Sequence, residues 1–280
     1  MHKFTVIGEG YLGSRVREHF DATNIPEAEI DIRDLQSVRA ALDKYPSEVL
    51  FNLAAVTNTS ALEQPENQDN GFRVNVQGLA NLSLACRERK IRLVHFSTGM
   101  MFDGLGTNGK GWHEDDKPDP TSYYVWTKAW GDAMLQPFME RDGILILRLH
   151  LPISGRSHLR NQLNKMLGFD KATEVRSSMT VVEDLLQAAE RLVELRAHGI
   201  YNVANPGLMS FYRIAEIMKE EGLMPAKKQV ARLGRAELDA MGGAKQTFPL
   251  LNTDKLVAAG VILPKIEVAV RECVRSLKEA

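Results

Sequence analysis

The stretch Val6-Ile7-Gly8-Glu9-Gly10-Tyr11-Leu12-Gly13 decides the fold of this 280-residue chain. Its glycines have the spacing G-x-G-x-x-G and directly follow the apolar run Phe4–Ile7, which indicates a strand. In such a loop Gly8 permits a tight turn, Gly10 lets the backbone approach a pyrophosphate, and Gly13 lets the next helix pack closely on the strand. We therefore expect a dinucleotide-binding strand–loop–helix unit at the start of the chain.

An acidic residue about 20 residues after such a loop can contact the ribose of the cofactor. Asp31 and Asp34 lie at about this distance, and the second strand is poorly defined around 25–32. A carboxylate there would repel a 2′-phosphate and favour NADH, whereas Arg33 between the two acids would do the reverse. An exposed loop aspartate, with no role in binding, is an equally good interpretation of either acid.

Apolar runs alternate with longer amphipathic stretches through the first half of the chain. We predict strands at 49–53, 93–96 and 144–147, and helices at 72–89 and from about Tyr124. Later segments predict helices at 183–197, 211–221 and 265–277 and a strand at 200–203. Strands that alternate with helices indicate an α/β protein with a doubly wound parallel sheet, the Rossmann fold. The pattern loosens after about Pro152, where we place a transition to a smaller C-terminal region.

Composition and charge exclude several classes of protein. The 35 basic and 36 acidic residues give a net charge of −1, so we expect neither nucleic acid nor an anionic membrane as a partner. No apolar run approaches the roughly 20 residues that span a bilayer. Cys86 and Cys273 cannot form a disulfide framework and favour a reducing cytoplasm. The seven histidines lack metal-ligand spacing, so no metal site is expected.

A tyrosine and a lysine four residues apart are the candidate catalytic pair. Tyr124 and Lys128 would share one face of a helix, where the ammonium would lower the pKa of the phenol and help it to pass a proton. The neighbouring Tyr123 lacks this spacing to a lysine. Thr98 follows the strand that ends at Phe96, so its hydroxyl would face the ligand crevice of an open sheet and hold a substrate carbonyl. A Tyr-x-x-x-Lys match alone is frequent by chance, and its position after the glycine loop gives it weight.

Together these features resemble the extended short-chain dehydrogenase/reductases. The segment 96–104 resembles the S-T-D-Y-V-F-D-G segment of dTDP-4-dehydrorhamnose reductases, and 52–57 resembles their N-A-A-x-T. Other segments resemble the UDP-4-keto-rhamnose epimerase/reductases more closely. Their motifs A-T-G-C-I-F, E-E-D-x-P, S-K-T-K, R-x-P-I-S, N-S-M-T and T-N-P-G have counterparts at 97–102, 114–118, 125–128, 151–154, 177–180 and 204–207.

The resemblance implies an NADPH- or NADH-dependent reductase of a nucleotide-activated 4-keto-6-deoxyhexose. It implies a Rossmann domain at 1–152 and a mainly substrate-binding region at 153–280, some of whose segments return to the Rossmann domain. A homodimer is compatible with the sequence but is not specified by it. The implied catalytic residues are Thr98, Tyr124 and Lys128. The last two would also contact the cofactor, together with Gly8, Gly10, Tyr11, Leu12, Gly13, Asp31, Asn52, Ala54, Ala55, Pro152 and Ile153. The implied substrate residues are Thr57, Thr98, Met100, Asn161, Lys165 and Met179.

One departure from the resemblance bears on the reaction. The bifunctional epimerase/reductases have a cysteine two residues after the catalytic threonine, where this chain has Met100, and a thioether cannot exchange protons. We therefore predict reduction without epimerisation. Two alternatives stay open: a bifunctional 3,5-epimerase/4-reductase, and a non-catalytic subunit of the kind that regulates methionine adenosyltransferase. The intact Thr98–Tyr124–Lys128 set argues against the second alternative.

Overall fold

The computed structural model describes residues 2–106, 109–242 and 244–279. Its strands are β1 His2–Ile7, β2 Thr23–Asn24, β3 Ser47–Asn52, β4 Arg92–Thr98, β5 Leu145–Leu149, β6 Pro152–Ile153, β7 Lys171–Thr173, β8 Ser177–Val181, β9 Gly199–Asn202, β10 Asn205–Met209 and β11 Ala231–Leu233. Its α-helices are α1 Tyr11–Phe20, α2 Leu35–Lys44, α3 Thr59–Leu62, α4 Pro65–Phe72, α5 Leu79–Arg89, α6 Tyr123–Leu135, α7 Met139–Asp142, α8 Gln162–Met166, α9 Val182–Glu194, α10 Phe211–Glu220, α11 Arg235–Ala240, α12 Asp254–Ala258 and α13 Ile266–Glu279. No described helix is long and apolar enough to cross a bilayer.

The chain divides into two compact units that are interleaved along the sequence. The first contains Met1–Met101, Pro120–Arg148 and Glu190–Tyr201. The second contains Phe102–Asp119, Leu149–Ala189 and Asn202–Ala280. The division into regions 1–152 and 153–280 stays a prediction.

The first unit is built on a six-stranded parallel sheet in the order β2-β1-β3-β4-β5-β9. This confirms the predicted doubly wound α/β fold, because the chain runs outward from β1 to β2 and then crosses to β3 on the other side of β1. The predicted strands and helices of this unit are present, with ends shifted by a few residues. The apolar strand runs and helix faces form one core, which includes Ile7, Val38, Leu42, Leu50, Leu82, Leu93 and Ile146.

Two local features of the first unit differ from the prediction. The second strand is only Thr23–Asn24, and a 3₁₀ turn at Glu27–Glu29 follows it. The region expected to be one helix at 72–89 begins at Pro65 and is divided by a π-helical turn, Arg73–Gly78. π-turns occur within helices and are frequent at functional sites.

The second unit has smaller sheets. One has the order β10-β8-β6, in which β8 pairs antiparallel with β10 and parallel with β6, and the other pairs β11 parallel with β7. The helices α10 and α13, which the sequence predicts, supply half of the buried apolar side chains of this unit's core. That core includes Ile153, Leu163, Met179, Ile214, Met218, Val270 and Val274.

Candidate active site

The glycine loop has the geometry of a phosphate-binding turn. Gly8 has a φ of 100°, and a Cβ there would lie 2.6 Å from the backbone of Leu53 and Ala54. A Cβ on Gly13 would lie 1.7 Å from the Gly8 carbonyl oxygen. Both positions therefore require glycine.

Gly10 lies at the open side of this loop. It is exposed, is the N-cap residue of α1, and has no side chain with which to cap the helix. Tyr11 and Leu12 open the first turn, which contains no acidic residue. The positive end of α1 therefore carries no acidic side chain that would repel an anion, and the loop fits a dinucleotide pyrophosphate.

The segment after β3 lies beside the glycine loop. The Leu53 N–H donates to the Ile7 carbonyl at 2.9 Å, which joins the ends of β1 and β3. Asn52 is buried, Ala54 and Ala55 are partly exposed, and Thr57 is exposed. The structure thus places the predicted cofactor residues Asn52, Ala54 and Ala55 next to the loop that would hold the pyrophosphate.

Asp31 is engaged by its neighbour Arg33. The Arg33 guanidinium donates from Nε to Oδ1 and from Nη2 to Oδ2 of Asp31, each at 2.9 Å, and also donates to Asn70. This pairing holds the pKa of Asp31 below its usual range. The acid that would repel a 2′-phosphate therefore lies directly beside a cation, so the repulsion expected from the sequence is offset. Asp34 instead caps α2 by accepting from the Gln36 N–H.

Thr98, Tyr124 and Lys128 are positioned by β4 and α6, which pack against each other. Thr98 ends β4 and is 7% exposed, and its Oγ1 accepts from the Met100 N–H at 3.1 Å. Because the oxygen accepts there, the hydroxyl hydrogen is left to donate to another acceptor. Lys128 is 3% exposed, and its Nζ donates to the Phe96 carbonyl on β4 at 2.9 Å. This bond ties the lysine of α6 to the strand that carries Thr98.

The prediction that Lys128 lowers the pKa of the Tyr124 phenol is wrong. Burial raises the pKa of Tyr124 to about 12, and the Asp132 carboxylate adds to this rise. The Lys128 ammonium does not offset it, since Nζ is directed to Phe96 and His95. The phenol is consequently protonated near neutral pH, which is the form that donates a proton.

The lysine has a perturbed pKa of its own. Burial lowers the pKa of Lys128 from 10.5 to about 8, against the opposing effect of Asp132. Asp132 is itself buried and forms an ion pair with Arg148, with 2.9 Å between Oδ2 and Nε. A buried cation at this position costs folding free energy, which is typical of groups retained for function rather than for stability.

We expect Lys128→Met to change how stability depends on pH. Below about pH 8 both the folded and the unfolded wild type carry the charged lysine, and the folded chain bears a cost of roughly 3 kcal/mol for burying it. Between this pH and 10.5 the folded state releases its proton first, so the cost disappears as pH rises. The free energy of unfolding of Lys128→Met should therefore exceed that of wild type most near neutral pH, and this excess should shrink by roughly 3 kcal/mol on going to about pH 10.

Urea unfolding of both proteins across this pH range measures the difference. Lys165→Met, a change at an exposed lysine of α8, is the matched control and should show no such trend. A difference between Lys128→Met and wild type that is independent of pH would contradict the assignment of a depressed pKa to Lys128.

Asn75 is a buried polar residue beside the candidate site that sequence reasoning missed. It lies in the π-helical turn and is 3% exposed. Its amide accepts from the Val56 N–H at 2.8 Å and donates to the Val56 carbonyl at 3.0 Å and to Thr127 Oγ1 at 2.9 Å. Asn75 thereby joins the segment after β3 to the residue that precedes Lys128. The only signal in the sequence is a polar residue between Val74 and Val76.

The predicted site residues of the second unit are in different environments. Pro152 and Ile153 form β6 and pair with Thr180 and Val181, and Ile153 is fully buried. Met179 on β8 is 1% exposed and belongs to the core. Lys165 on α8 is exposed.

The predicted substrate residue Asn161 is fully buried and engaged by its own loop. Its amide donates to the carbonyls of Ser154 and Arg156 and accepts from the N–H groups of Ser154 and Leu163. These bonds make Asn161 a residue that shapes the loop. Substrate roles for Asn161, Lys165 and Met179 stay predictions.

No cluster of three or more His, Cys, Asp or Glu side chains that could hold a metal ion occurs within residues 2–106, 109–242 and 244–279. Met100 follows Thr98 in a 3₁₀ turn, Gly99–Met101, and is partly exposed. Its thioether cannot donate or accept a proton, so the structure places no proton-exchanging side chain at this position.

The parallel sheet and the glycine loop after its first strand give the chain a Rossmann-type fold. Residues 5–278 match the RmlD substrate binding domain family, and the chain belongs to that family. Of the solved structures, the L780 UDP-rhamnose synthase of Acanthamoeba polyphaga mimivirus superposes with a TM-score of 0.89 at 23% identity, over 99% of this chain and 100% of that one. A Bacillus anthracis dTDP-4-dehydrorhamnose reductase in complex with NADP gives 0.84 at 20% identity, over 100% and 99%. These two likenesses confirm the fold.

Among characterised relatives, an Arabidopsis thaliana trifunctional UDP-glucose 4,6-dehydratase/UDP-4-keto-6-deoxy-D-glucose 3,5-epimerase/UDP-4-keto-L-rhamnose-reductase is 30% identical over 227 residues. The match includes 78% of this chain but 34% of that protein. The chain thus spans about a third of the length of this relative.

Proposed function

We propose that this chain is an NAD(P)H-dependent reductase of a nucleotide-activated 4-keto-6-deoxyhexose, acting in deoxysugar biosynthesis. The observation that carries the proposal is the set formed by Thr98 at the end of β4 and by Tyr124 and Lys128 on α6. Membership of the RmlD substrate binding domain family supports the same reaction. The plant relative, whose name includes a UDP-4-keto-L-rhamnose reductase, supports this substrate class.

Each of the three side chains has a state suited to its role. The Thr98 oxygen already accepts from the Met100 N–H, which leaves its hydroxyl hydrogen to donate to the substrate carbonyl. Tyr124, kept protonated by burial, donates a proton to the carbonyl oxygen as the C4 ketone becomes an alcohol. A nicotinamide held beside these side chains would supply the hydride to C4. Lys128, whose Nζ donates to the Phe96 carbonyl, would line the cofactor site one turn after Tyr124 on the same helix face.

The cofactor site is proposed at the glycine loop and at the segment that follows β3. Gly10, Tyr11 and Leu12 would bind the pyrophosphate with backbone N–H groups, and Asn52, Ala54 and Ala55 would line the adjoining wall. Arg33 offers a cation to a 2′-phosphate, which favours NADPH over NADH. Two free thiols, Cys86 and Cys273, agree with a reducing cytoplasm as the proposed compartment.

A panel of sugar nucleotides tests the proposal. The full chain is offered dTDP- and UDP-linked 4-keto-6-deoxyhexoses with NADPH or NADH, and oxidation of the cofactor is followed by absorbance. We expect oxidation only with the 4-keto sugars, and faster oxidation with NADPH. Binding of NADPH without any oxidation across the panel would overturn the reductase assignment and favour the non-catalytic alternative.

Epimerisation at C3 and C5 is the second candidate function, favoured by the name of the plant relative. Proton exchange at each carbon needs groups that can take and return a proton, and Met100 cannot. We therefore propose reduction alone. Incubation of a 4-keto-6-deoxy sugar nucleotide in heavy water with oxidised cofactor distinguishes the two functions. Enzyme-dependent deuterium at both C3 and C5, above the background of the ketone, would establish the bifunctional alternative.

A further inference from the structure

A buried ion pair lies one helical turn beyond the candidate catalytic pair. Asp132 on α6 and Arg148 on β5 are each 1% exposed, with 2.9 Å between Asp132 Oδ2 and Arg148 Nε. Replacing a buried ion pair by apolar residues of similar volume is often neutral or stabilising, so stability alone does not explain why these two charges are buried here. Their position beside Tyr124 and Lys128 indicates another role.

Asp132 shares a helix face with both candidate catalytic residues of α6. Tyr124, Lys128 and Asp132 follow one another at intervals of four residues, and side chains at this spacing lie on one face of a helix. All three side chains are buried. Water and salt therefore screen the interactions of the carboxylate with the ammonium and the phenol only weakly.

The negative end of the ion pair acts on the Tyr–Lys pair. Arg148 occupies Oδ2 of Asp132, whereas Oδ1 is buried and has no hydrogen-bond partner among the described residues. Burial lowers the pKa of Lys128 to about 8, and the Asp132 carboxylate opposes this fall. Burial raises the pKa of Tyr124 to about 12, and the same carboxylate adds to this rise. Both effects have the sign of a negative charge, so Asp132 acts on these residues more strongly than Arg148 does.

We propose that Asp132 is a positioning residue for the reaction, whose buried carboxylate, paired with Arg148, keeps Lys128 an ammonium and Tyr124 a neutral phenol. A charged Lys128 donates to the Phe96 carbonyl at 2.9 Å. The catalytic meaning of this role rests on the proposed function, whereas the charge of Lys128 is a property of the protein without ligand.

The other groups that face Lys128 bring it no second anion. From β4 the titratable group is His95, and burial holds its pKa well below its usual range, so the ring is neutral. The π-helical turn brings the uncharged Asn75 to α6. The charged side chains of α4, α5 and that turn are exposed or pair with α2, and α3 and the turn 99–101 contain none. Within the described part of the chain, Asp132 is thus the buried anion that balances the ammonium.

The direction of one pKa shift separates this role from a purely structural one. If the ion pair only held α6 against β5, its loss would loosen the helix and let water reach Lys128. The pKa of Lys128 would then rise from about 8 towards 10.5. If the carboxylate holds the ammonium, its loss leaves the effect of burial unopposed, and the pKa of Lys128 falls.

Titration of Lys128 in the ligand-free full chain measures this shift. The ¹³Cε chemical shift of Lys128 is followed against pH in protein labelled with ¹³C-lysine, and Lys128→Met assigns the signal. The wild-type lysine should titrate at about pH 8. Asp132→Asn keeps the shape of the side chain and an oxygen that can accept from Arg148. It should lower the pKa of Lys128 by about one unit or more.

A double variant keeps the test available if Asp132→Asn fails to fold. Asp132→Leu combined with Arg148→Met removes both charges, so neither is left buried without its partner. The pKa of Lys128 should again fall. Asp142→Asn is the matched control, because it removes an acid of α7 that is paired with Arg141 instead. It should leave the titration of Lys128 unchanged.

The pH dependence of turnover gives a second measurement in a protein that reduces a keto-sugar. The reaction should lose rate as Lys128 loses its proton, so this loss should begin about one pH unit lower in Asp132→Asn than in wild type. Asp142→Asn should retain the wild-type profile.

The titration separates this inference from the proposed reaction. A Lys128 signal that titrates at the wild-type pH or above it in Asp132→Asn, or in the double variant where the single one does not fold, would overturn the role of Asp132, even if the protein reduces a keto-sugar. A lowered titration in a protein that reduces nothing on the panel would support the hold of Asp132 on the ammonium and remove the proposed function.

Discussion

Tyr124→Phe is expected to lower turnover of the keto-sugar by about 10²-fold or more, the effect typical of removing a general acid. The hydroxyl belongs to a side chain that is 9% exposed, and burial keeps it protonated. Phenylalanine retains the ring and therefore the packing around it. The loss should appear in kcat, measured with the substrate that the panel identifies, while NADPH affinity measured by fluorescence titration changes little.

Tyr123→Phe is the matched control on the same helix. The Tyr123 ring lies against Trp130, with 6.3 Å between the centroids, on a face of α6 where Trp126 and Trp130 are exposed. It should turn over substrate at nearly the wild-type rate. Wild-type turnover in Tyr124→Phe, or an equal loss in both variants, would show that the phenol of Tyr124 is not the proton donor.

Gly10→Val is expected to abolish cofactor binding in a chain that still folds. Gly10 is exposed and precedes α1, so a larger side chain meets solvent in the free protein. In the complex the same side chain would occupy the space of the pyrophosphate, which must approach the backbone closely. Calorimetric titration with NADPH should show no binding, whereas circular dichroism and thermal unfolding should resemble those of wild type.

Gly168→Val is the control, because this glycine is also exposed and a Cβ there makes only an ordinary contact with the Lys165 carbonyl. Its NADPH affinity should equal that of wild type. Gly13→Ala separates folding from binding. Its Cβ would lie 1.7 Å from the Gly8 oxygen, so we expect loss of stability rather than a selective loss of affinity. Retained NADPH affinity in a folded Gly10→Val protein would remove the phosphate-binding role of the loop.

The sheet of the first unit was predictable because its strands are buried on both faces. Continuous apolar runs such as those of β3 and β4 are typical of strands that are covered on both faces of a parallel sheet. The glycine spacing after β1 predicts the turn into the helix that begins the first crossover. The start of the helix that carries Tyr124 has a separate signal in the sequence, its N-cap residue. Ser122 accepts a hydrogen bond from the Val125 N–H and caps the helix.

The strands of the second unit were not predictable from local patterns. β6 has two residues and β7 three, so neither shows a period, and each exists only through a partner distant in sequence. β2 is equally short, and its pairing with β1 defines it. The π-helical turn 73–78 was missed because its sequence has the apolar spacing of an ordinary helix.

The candidate site shows the same limit. The spacing of Tyr124 and Lys128 follows from helix geometry, but the direction of their pKa shifts depends on burial, which a sequence does not give. His95 and Asn75 are held by partners that lie 19 to 52 residues away. No short motif encodes such contacts, and a polar residue in an apolar run was the only sign of either.

The interleaving of the two units limits how this chain can be divided or recombined. Strand β9, at the edge of the six-stranded sheet, comes from 199–202, far beyond the other strands of that sheet. A fragment that ends near residue 152 would leave β5 as an open edge, able to pair with another copy. The segment 102–119 would remain in that fragment without the rest of its own unit. Exchange of the second unit between relatives would therefore require grafting several segments at once, because a single splice would leave an open sheet edge.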